Sequence, residues 1–369
     1  MEIQLTYRAA AEYDHLRMGS MTPAMAAEYL QDGKILLRSF QESLREQYPY
    51  PDLQLRLINS FCAYEPEASR ASVTKKIQNW LGGKNQPSSR EDIFRIAFAL
   101  DLTETQTNFL LGQCTDYGIH YRDGKDVVYT WFLRNDYGYE DARNFYKSLP
   151  AVPYMMEFPQ SVNTHITKHL QNDFYSVHSV EKLRRVYIKN LSNFGTLHVR
   201  AYQYFEKYLH QLIHPDTGWD TVSEEDYSLE SVMEQYLSLQ MPSRRNRARY
   251  SVTQKLLKQN WPNATALKNI RAHRVDVPRK LLLILYVVTE NVVDNDYSEL
   301  DEDYLSIQDR LNNHWWILNA ILTDCGMPLL DPRNVTDWLV LYALTADEDE
   351  SMSERMASVI DNLFQEECE

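Results

Sequence analysis

The chain has 369 residues and a formal charge of −14, and 44% of its residues are hydrophobic. This length is enough for two or three domains, and the composition is that of a folded protein rather than a disordered one. The acidic balance disfavours contact with nucleic acid or an anionic membrane through the whole surface. Four scattered cysteines and a longest apolar run of eight residues argue against a disulfide framework and a membrane span. We therefore expect a soluble, cytoplasmic protein without a membrane partner.

In chain order, the sequence predicts amphipathic helices with short connections and no alternating strand pattern. Apolar residues recur at helical spacing in 24–47, 92–100, 103–111, 125–134, 140–149, 161–171, 180–194, 197–213, 229–241, 251–260, 263–273, 279–293, 303–325, 335–346 and 353–364. The predicted fold class is all-α with several modules. The expected organisation is an N-terminal helical module at 1–150, a helical middle region at 151–227 and a second helical module at 228–369.

The segment from Ser72 to Ser88 is the most informative part of the chain. Its spacing predicts a short helix that ends at Leu81, because two glycines that can terminate a helix follow directly. Ser88 or Ser89 can cap the next helix, which is predicted to begin near Arg90. The residues of the first helix that are predicted to face outward are Thr74, Lys75, Lys76 and Asn79.

This pattern is close to I-x-x-W-x-x-G-x-x-x-P-S, and it resembles the recognition helix and following loop of the Xre/lambda-repressor type of helix-turn-helix domain. The resemblance covers residues 70–110. It implies base contacts from the outward-facing residues of the helix, which are Thr74, Lys75, Lys76 and Asn79. It implies phosphate contacts from the loop and the next helix, at Lys84, Ser88 and Arg90. The sequence departs from the family pattern just upstream, where Glu65 and Glu67 would lie near the DNA.

Residues 241–280 contain eleven basic residues and one acidic residue, whereas residues 281–369 contain three basic and twenty acidic residues. Two short basic helices are predicted around the turn at 261–263, and Asn263 can cap the second one, so this is another helix-turn-helix outline. Its expected DNA contacts are Lys268, Arg271 and Arg274, together with an arm for phosphates or a minor groove formed by Arg244, Arg245, Arg247 and Arg249. The alternative is a solvated face that pairs with the acidic C-terminal part.

An internal repeat is also present. Residues 108–133 and 319–344 align without a gap, at an offset of 211 residues and with six identities, among them Asn108/Asn319, Arg122/Arg333 and Asp126/Asp337. The preceding segments match at an offset near 190, so the second copy is expected to have about twenty additional residues, which the stretch 294–309 can accommodate. The sequence therefore predicts a duplication. A monomer of this kind could act as a pseudo-dimer on two DNA half-sites, and a homodimer is the other possibility.

The sequence contains no nucleotide-binding loop and no nucleophile motif, and its His-x-x-x-His pairs lack the further ligands that a zinc site needs. We therefore expect no enzymatic activity, no catalytic residue, no metal and no cofactor. The predicted function is a DNA-binding regulator, of transcription in a bacterial setting, with double-stranded DNA as its partner. The alternative is a non-enzymatic helical adaptor that keeps the helix-turn-helix fold without binding DNA and offers grooves to a protein partner.

Overall fold

The computed structural model describes residues 5–32, 35, 37–87, 89–152, 166–195, 197–214, 227–242, 250–289, 306–346 and 350–365. Within these ranges the regular structure is entirely helical, so the predicted all-α fold class is confirmed. The chain divides into two compact units. We call residues 38–197 with 326–328 the central unit, and residues 1–37, 198–325 and 329–369 the terminal unit.

The terminal unit begins with two helices, α1 (Tyr7–Arg17) and α2 (Pro23–Gln31). The helices of the central unit are α3 (Phe40–Gln47), α4 (Leu53–Tyr64), α5 (Arg70–Leu81), α6 (Arg90–Ala99), α7 (Glu104–Cys114), α8 (Gly124–Arg134), α9 (Tyr139–Lys147), α10 (Ile166–Tyr175) and α11 (Val180–Lys189). The chain then returns to the terminal unit with α12 (Val199–Ile213), α13 (Leu229–Val232), α14 (Val252–Lys258), α15 (Ala264–Arg271), α16 (Arg279–Thr289), α17 (Ile307–Asp324), α18 (Val335–Ala343) and α19 (Met352–Phe364).

This division differs from the three segments expected from the sequence. The expected middle region does not form a unit of its own, because α10 and α11 belong to the central unit and α12 belongs to the terminal unit. The first helices of the chain pack within the terminal unit, where α2 lies against α19. Packing partners, rather than order along the chain, therefore define the two units.

Each unit has its own apolar core. The core of the central unit takes buried side chains from all of α3 to α11, and Trp131 on α8 is among the largest of them. In the terminal unit every residue of α16 except Lys280 is buried, and the helix packs against α12, α18 and α19. This burial on every side explains the continuous apolar run from Leu281 to Val288, because a helix without a solvent face needs no polar stripe.

The predicted repeat corresponds to matching local structure in the two units. The side-chain oxygen of Asn108 accepts a hydrogen bond from the backbone N–H of Ile119 at 2.8 Å. In the same way, the side-chain oxygen of Asn319 accepts one from the N–H of Leu330 at 2.9 Å. Both bonds span eleven residues and tie the loop after α7 or α17 back to its helix. The identical asparagines therefore perform the same task in both copies.

A buried ion pair is repeated as well. Arg90 at the start of α6 binds Asp126 on α8, and Arg279 at the start of α16 binds Asp337 on α18. Each aspartate also accepts a hydrogen bond from the backbone N–H six residues before it, and each arginine also donates to the carbonyl eight residues before the aspartate. Together with the matching turns after α5 and α15, these contacts make helices α5–α8 and α15–α18 two copies of one module. The second copy is longer between α16 and α17, and most of the predicted insertion at 294–309 lies outside the described residues.

Candidate nucleic-acid interface

Helices α4 and α5 pack against each other around a short turn, as the helix-turn-helix prediction requires. The side chain of Ser69 accepts a hydrogen bond from the backbone N–H of Ser72 and so begins α5. Val73, Ile77 and Trp80 are buried in the core, so one side of α5 is fixed to the central unit. Because of helical periodicity, the opposite side of α5 faces solvent.

The outward side of α5 borders an open groove of about 730 Å³. The polar residues that line it are Arg70, Thr74, Lys75, Gln78, Asn79 and Lys84. None of them is acidic, and three carry a positive charge. Among the described residues, the side chains of Lys75, Gln78 and Lys84 have no hydrogen-bond or ion-pair partner. The groove therefore combines uncommitted donors with net positive charge.

The turn after α5 places Lys84 beside this helix. Gly83 adopts a φ of +69°, a left-handed conformation that favours glycine at a helix end. The backbone N–H of Lys84 then donates to the carbonyl of Asn79 at 3.0 Å. This bond turns the chain back, so the cation of Lys84 lies at the end of the groove that Asn79 lines.

The structure gives Lys76 an internal role, in contrast to its expected contact with a base edge. Its ammonium group lies 3.0 Å from a carboxylate oxygen of Glu65 and 3.1 Å from one of Asp92. It also lies 5.2 Å and 5.0 Å from the ring centres of Phe61 and Trp80. These contacts hold Lys76 between α4, α5 and α6, and it does not line the groove. The upstream departure from the family pattern therefore has a structural use, since Glu65 binds this lysine.

Arg90 is likewise occupied inside the module, in contrast to its expected contact with phosphate. Its guanidinium binds the buried carboxylate of Asp126 and donates to the hydroxyl of Thr115 at 2.9 Å. It also donates to the carbonyls of Tyr117 at 3.0 Å and Gly118 at 2.6 Å. With these donors in use, Arg90 stabilises the loop between α7 and α8. The matching arginine of the second copy does the same, so this role belongs to the fold.

The remaining phosphate contact expected in this region was Ser88, which lies outside the described residues. Its neighbour Ser89 is the cap of α6, because its hydroxyl accepts a hydrogen bond from the backbone N–H of Asp92 at 3.1 Å. Two other residues on the groove, Arg70 and Gln78, were missed from the sequence. Their spacing of four residues on either side of Thr74 is the signal that could have found them, since residues four apart share a helix face.

The second predicted helix-turn-helix falls on α14 and α15, and Asn263 caps α15 as expected. The turn that follows repeats the geometry of the first copy. The N–H of Arg274 donates to the carbonyl of Asn269 at 2.9 Å, and His273 adopts a φ of +55°. Asn269 and Arg274 therefore occupy the positions that Asn79 and Lys84 occupy in the first copy.

Lys268 and Arg271 lie on exposed positions of α15, and Arg274 is exposed in the turn after it. Lys268 forms an ion pair with Glu230, in which both side chains are 57% exposed. The arm formed by Arg244, Arg245, Arg247 and Arg249 lies outside the described residues. The second copy thus presents two cations without an acidic partner in the described part of the chain, at Arg271 and Arg274.

Part of the basic segment at 241–280 serves the fold. Arg279 binds the buried Asp337, and this is a pairing with the acidic C-terminal part of the kind that the alternative prediction anticipated. The ammonium group of Lys280 donates to carbonyl oxygens at the end of α14, including that of Leu257 at 3.0 Å. Lys258 donates to the carbonyl of Pro242 at 2.6 Å. Local positive charge counted from the sequence therefore overstates what is available to a ligand.

Two observations complete the description of the candidate interface. Over the residues that the structure covers, no helix combines the length and the apolar character needed to cross a membrane. No protein-family model, curated protein or solved structure matches the chain.

Proposed function

We propose that the protein is a DNA-binding regulator of transcription that inserts α5 into the major groove. The observation that carries this proposal is the groove beside α5, whose lining has three cations and no acid and which borders a helix packed in a helix-turn-helix arrangement. A major groove is wide enough for one α-helix. The overall charge of −14 is compatible with this role because the acidic residues are absent from the lining of that groove.

The side chains of this face divide into two tasks. Lys75, Gln78 and Asn79 have the donors and acceptors that recognise base edges, and each good bidentate contact discriminates against a wrong base by about 1–3 kcal/mol. Thr74 adds a hydroxyl and a methyl group next to them. Lys84 in the turn after α5 has a charge suited to the phosphate backbone.

The second copy supports a further contact with the same DNA. Asn269 and Arg274 repeat the positions of Asn79 and Lys84, and Arg271 adds an exposed cation. The ion pair between Lys268 and Glu230 is so exposed that it contributes little, so a phosphate can replace the glutamate. The arm at 244–249 adds four arginines for phosphates or a minor groove. One chain would then act as a cytoplasmic pseudo-dimer on two half-sites, and a homodimer would double that arrangement.

The test is fluorescence anisotropy with a pool of genomic DNA fragments at several salt concentrations. The variant Lys75→Ala/Asn79→Ala should bind at least tenfold more weakly than the wild type. The separate variant Lys84→Ala removes the proposed phosphate contact, so the magnitude of its log–log salt slope should be smaller by about 0.9. Lys189→Ala changes an exposed lysine on α11 of the same unit and should leave binding unchanged. Equal affinity of the double variant and the wild type would remove α5 from the proposed interface.

The adaptor remains the second candidate, because one specific contact favours it. Glu65 binds Lys76, so a cation that the helix-turn-helix resemblance assigns to a base edge is held inside the module. An adaptor should show no affinity for any DNA fragment at low salt, where electrostatic binding to phosphates is strongest. Such a result, obtained with a folded protein, would favour the adaptor over the regulator.

A further inference from the structure

A second concave site lies in the central unit, between α6, α8 and α9, and it is separate from the groove beside α5. Its volume of about 370 Å³ is within the range of sites for small molecules. The charged residues that line it are Glu91, Arg95, Lys125, Arg143 and Lys147. The rings of three tyrosines complete the wall. We call this site the tyrosine pocket.

The one carboxylate of the tyrosine pocket is already in use. Glu91 accepts hydrogen bonds from the hydroxyls of Tyr129 at 3.1 Å and Tyr139 at 2.5 Å, and it forms an ion pair with Lys125. Burial acts to raise the pKa of Glu91, but these partners outweigh burial and leave the pKa below its ordinary value. Burial and the bond to Glu91 raise the pKa of Tyr139 to about 12, so its hydroxyl remains a donor. A ligand therefore meets cations and ring faces rather than an unpaired acid.

The rim of the pocket is positively charged and accessible. Arg143 and Lys147 are four residues apart on α9 and so project from the same face of the helix. The ion pair of Arg143 with Glu140 spans 3.1 Å between exposed groups and is weak in water. Lys147 is exposed and has no ion pair with any described residue. Tyr146 lies between them in sequence, is half-buried and provides a planar surface beside the two cations.

The second copy of the module shows that the fold does not require this pocket. The offsets of 189 and 211 residues that relate the shared buried ion pairs also relate Arg95 to Ile284 and Tyr129 to Val340. Ile284 and Val340 are fully buried apolar residues of the terminal core. The module therefore folds with apolar side chains at these positions. The polar lining in the central unit is an addition that structural need alone does not explain.

The pocket is also connected to the turn of the helix-turn-helix. Arg95 donates to the hydroxyl of Tyr139 at 3.0 Å and to a carboxylate oxygen of Glu65 at 2.7 Å. The same oxygen of Glu65 accepts a hydrogen bond from Lys76 on α5 at 3.0 Å. A molecule that displaces Arg95 or Tyr139 thus acts on a continuous chain of polar contacts that ends on α5.

We propose that the tyrosine pocket binds a small organic anion that contains a planar ring. The anionic group would lie among Lys125, Arg143 and Lys147, and the ring would pack against Tyr146. Aryl carboxylates and nucleoside monophosphates share this chemistry. Binding requires no DNA, so the proposal holds or fails independently of the proposed function.

Isothermal titration calorimetry tests the proposal on the full chain without DNA. The probes are AMP and benzoate, with adenosine and benzamide as uncharged counterparts and inorganic phosphate as an anion without a ring. At least one ring-containing anion should bind with a Kd below about 1 mM, and its uncharged counterpart and phosphate should bind at least tenfold more weakly. Absence of heat from both anions at concentrations of about 5 mM would overturn the proposal. Phosphate binding as tightly as the anion with a ring would overturn it too.

Charge reversal at the rim locates the binding. Arg143→Glu/Lys147→Glu should weaken binding of the anion at least tenfold, because two negative charges replace the two cations of the rim. Both side chains lie on the outer face of α9, so circular dichroism should show an unchanged helix content. Lys189→Glu on α11 is the control for charge reversal at an exposed lysine and should bind as the wild type does. Undiminished binding by the rim variant would place the anion elsewhere and overturn the assignment.

Discussion

Replacement of Asp337 by alanine should destabilise the terminal unit by about 3–5 kcal/mol, the usual cost of breaking a buried ion pair from one side. The carboxylate is 1% exposed and accepts hydrogen bonds from Nη1 and Nη2 of Arg279 at 2.6 and 2.8 Å. It also accepts one from the backbone N–H of Asp331 at 2.8 Å. Alanine removes the carboxylate that faces the buried guanidinium of Arg279 and leaves this N–H without its acceptor.

The two losses can be separated with a second substitution. Leaving a buried backbone N–H unsatisfied costs about 1–3 kcal/mol, and the N–H of Asp331 is only partly buried, so a large part of the effect should come from the loss of the carboxylate that faces the charge of Arg279. Arg279→Met removes that charge and retains an apolar side chain. The variant Arg279→Met/Asp337→Ala should therefore be more stable than the sum of the single changes implies, with a coupling energy of about 2 kcal/mol or more.

Urea denaturation, followed by far-UV circular dichroism and by tryptophan fluorescence, measures these differences. Asp361→Ala removes an exposed aspartate from α19 of the same unit and should change the free energy of unfolding by no more than about 0.5 kcal/mol. A loss of less than about 1 kcal/mol in the free energy of unfolding of Asp337→Ala, or strict additivity in the double variant, would contradict this prediction. The matching change Asp126→Ala should cost less, because the side chain of Arg90 is 29% exposed and that of Arg279 only 10%.

Three further predictions concern single side chains. Asn319→Ala should lower the free energy of unfolding by about 1–3 kcal/mol, because the amide of Asn319 is buried. Asn108→Ala should lower it by less than about 1 kcal/mol, because the amide of Asn108 is exposed and water can replace it. Equal urea midpoints of the two variants would contradict this difference. Gly124→Ala would place a Cβ 2.5 Å from the hydroxyl oxygen of Tyr187, so it should destabilise the protein by about 1–3 kcal/mol and lower its Tm. An unchanged Tm would show that the side chain of Tyr187 can move away from this Cβ. The lowered pKa of Glu91 means that its stabilisation is complete above about pH 4.5 and is lost as the pH falls through the folded-state pKa. The stability difference between wild type and Glu91→Gln should therefore narrow from about pH 7 to about pH 3, and a constant difference would argue against this titration.

Local sequence patterns predicted much of α5 and of the turn after it. The glycines after α5 and the asparagine cap of α15 act within a few residues, so the end of α5 and the cap of α15 followed directly from the sequence. The beginning of α5 did not, because the helix was predicted to begin at Ser72 and instead begins at Arg70, after the cap Ser69. Apolar spacing gave the buried side of α5, including Ile77 and Trp80. The same spacing contained Arg70 and Gln78 on the outer face, although they were not selected.

The assignments that changed depend on distant partners. Lys76 and Arg90 were candidate DNA contacts by position, and nothing within one helical turn distinguishes them from Lys75. The acidic partner of Lys76 is Glu65, eleven residues away, and that of Arg90 is Asp126, 36 residues away. Only packing brings such groups into contact, so exposure of a cation cannot be read from periodicity alone.

The sequence by itself determined the helical class and the caps, because helix formation depends on residues three or four positions apart. It also determined the presence of a repeat, because identical residues at a constant offset are visible when two segments of the chain are aligned. Tertiary structure decided what the repeat does and how the chain divides. It joined the first 37 residues to the C-terminal part, and it showed that Asp126 and Asp337 serve equivalent buried ion pairs. It also separated the cations that face solvent from those that stabilise the fold. A charge buried against its partner leaves no periodic signal, since the partner can lie anywhere along the chain.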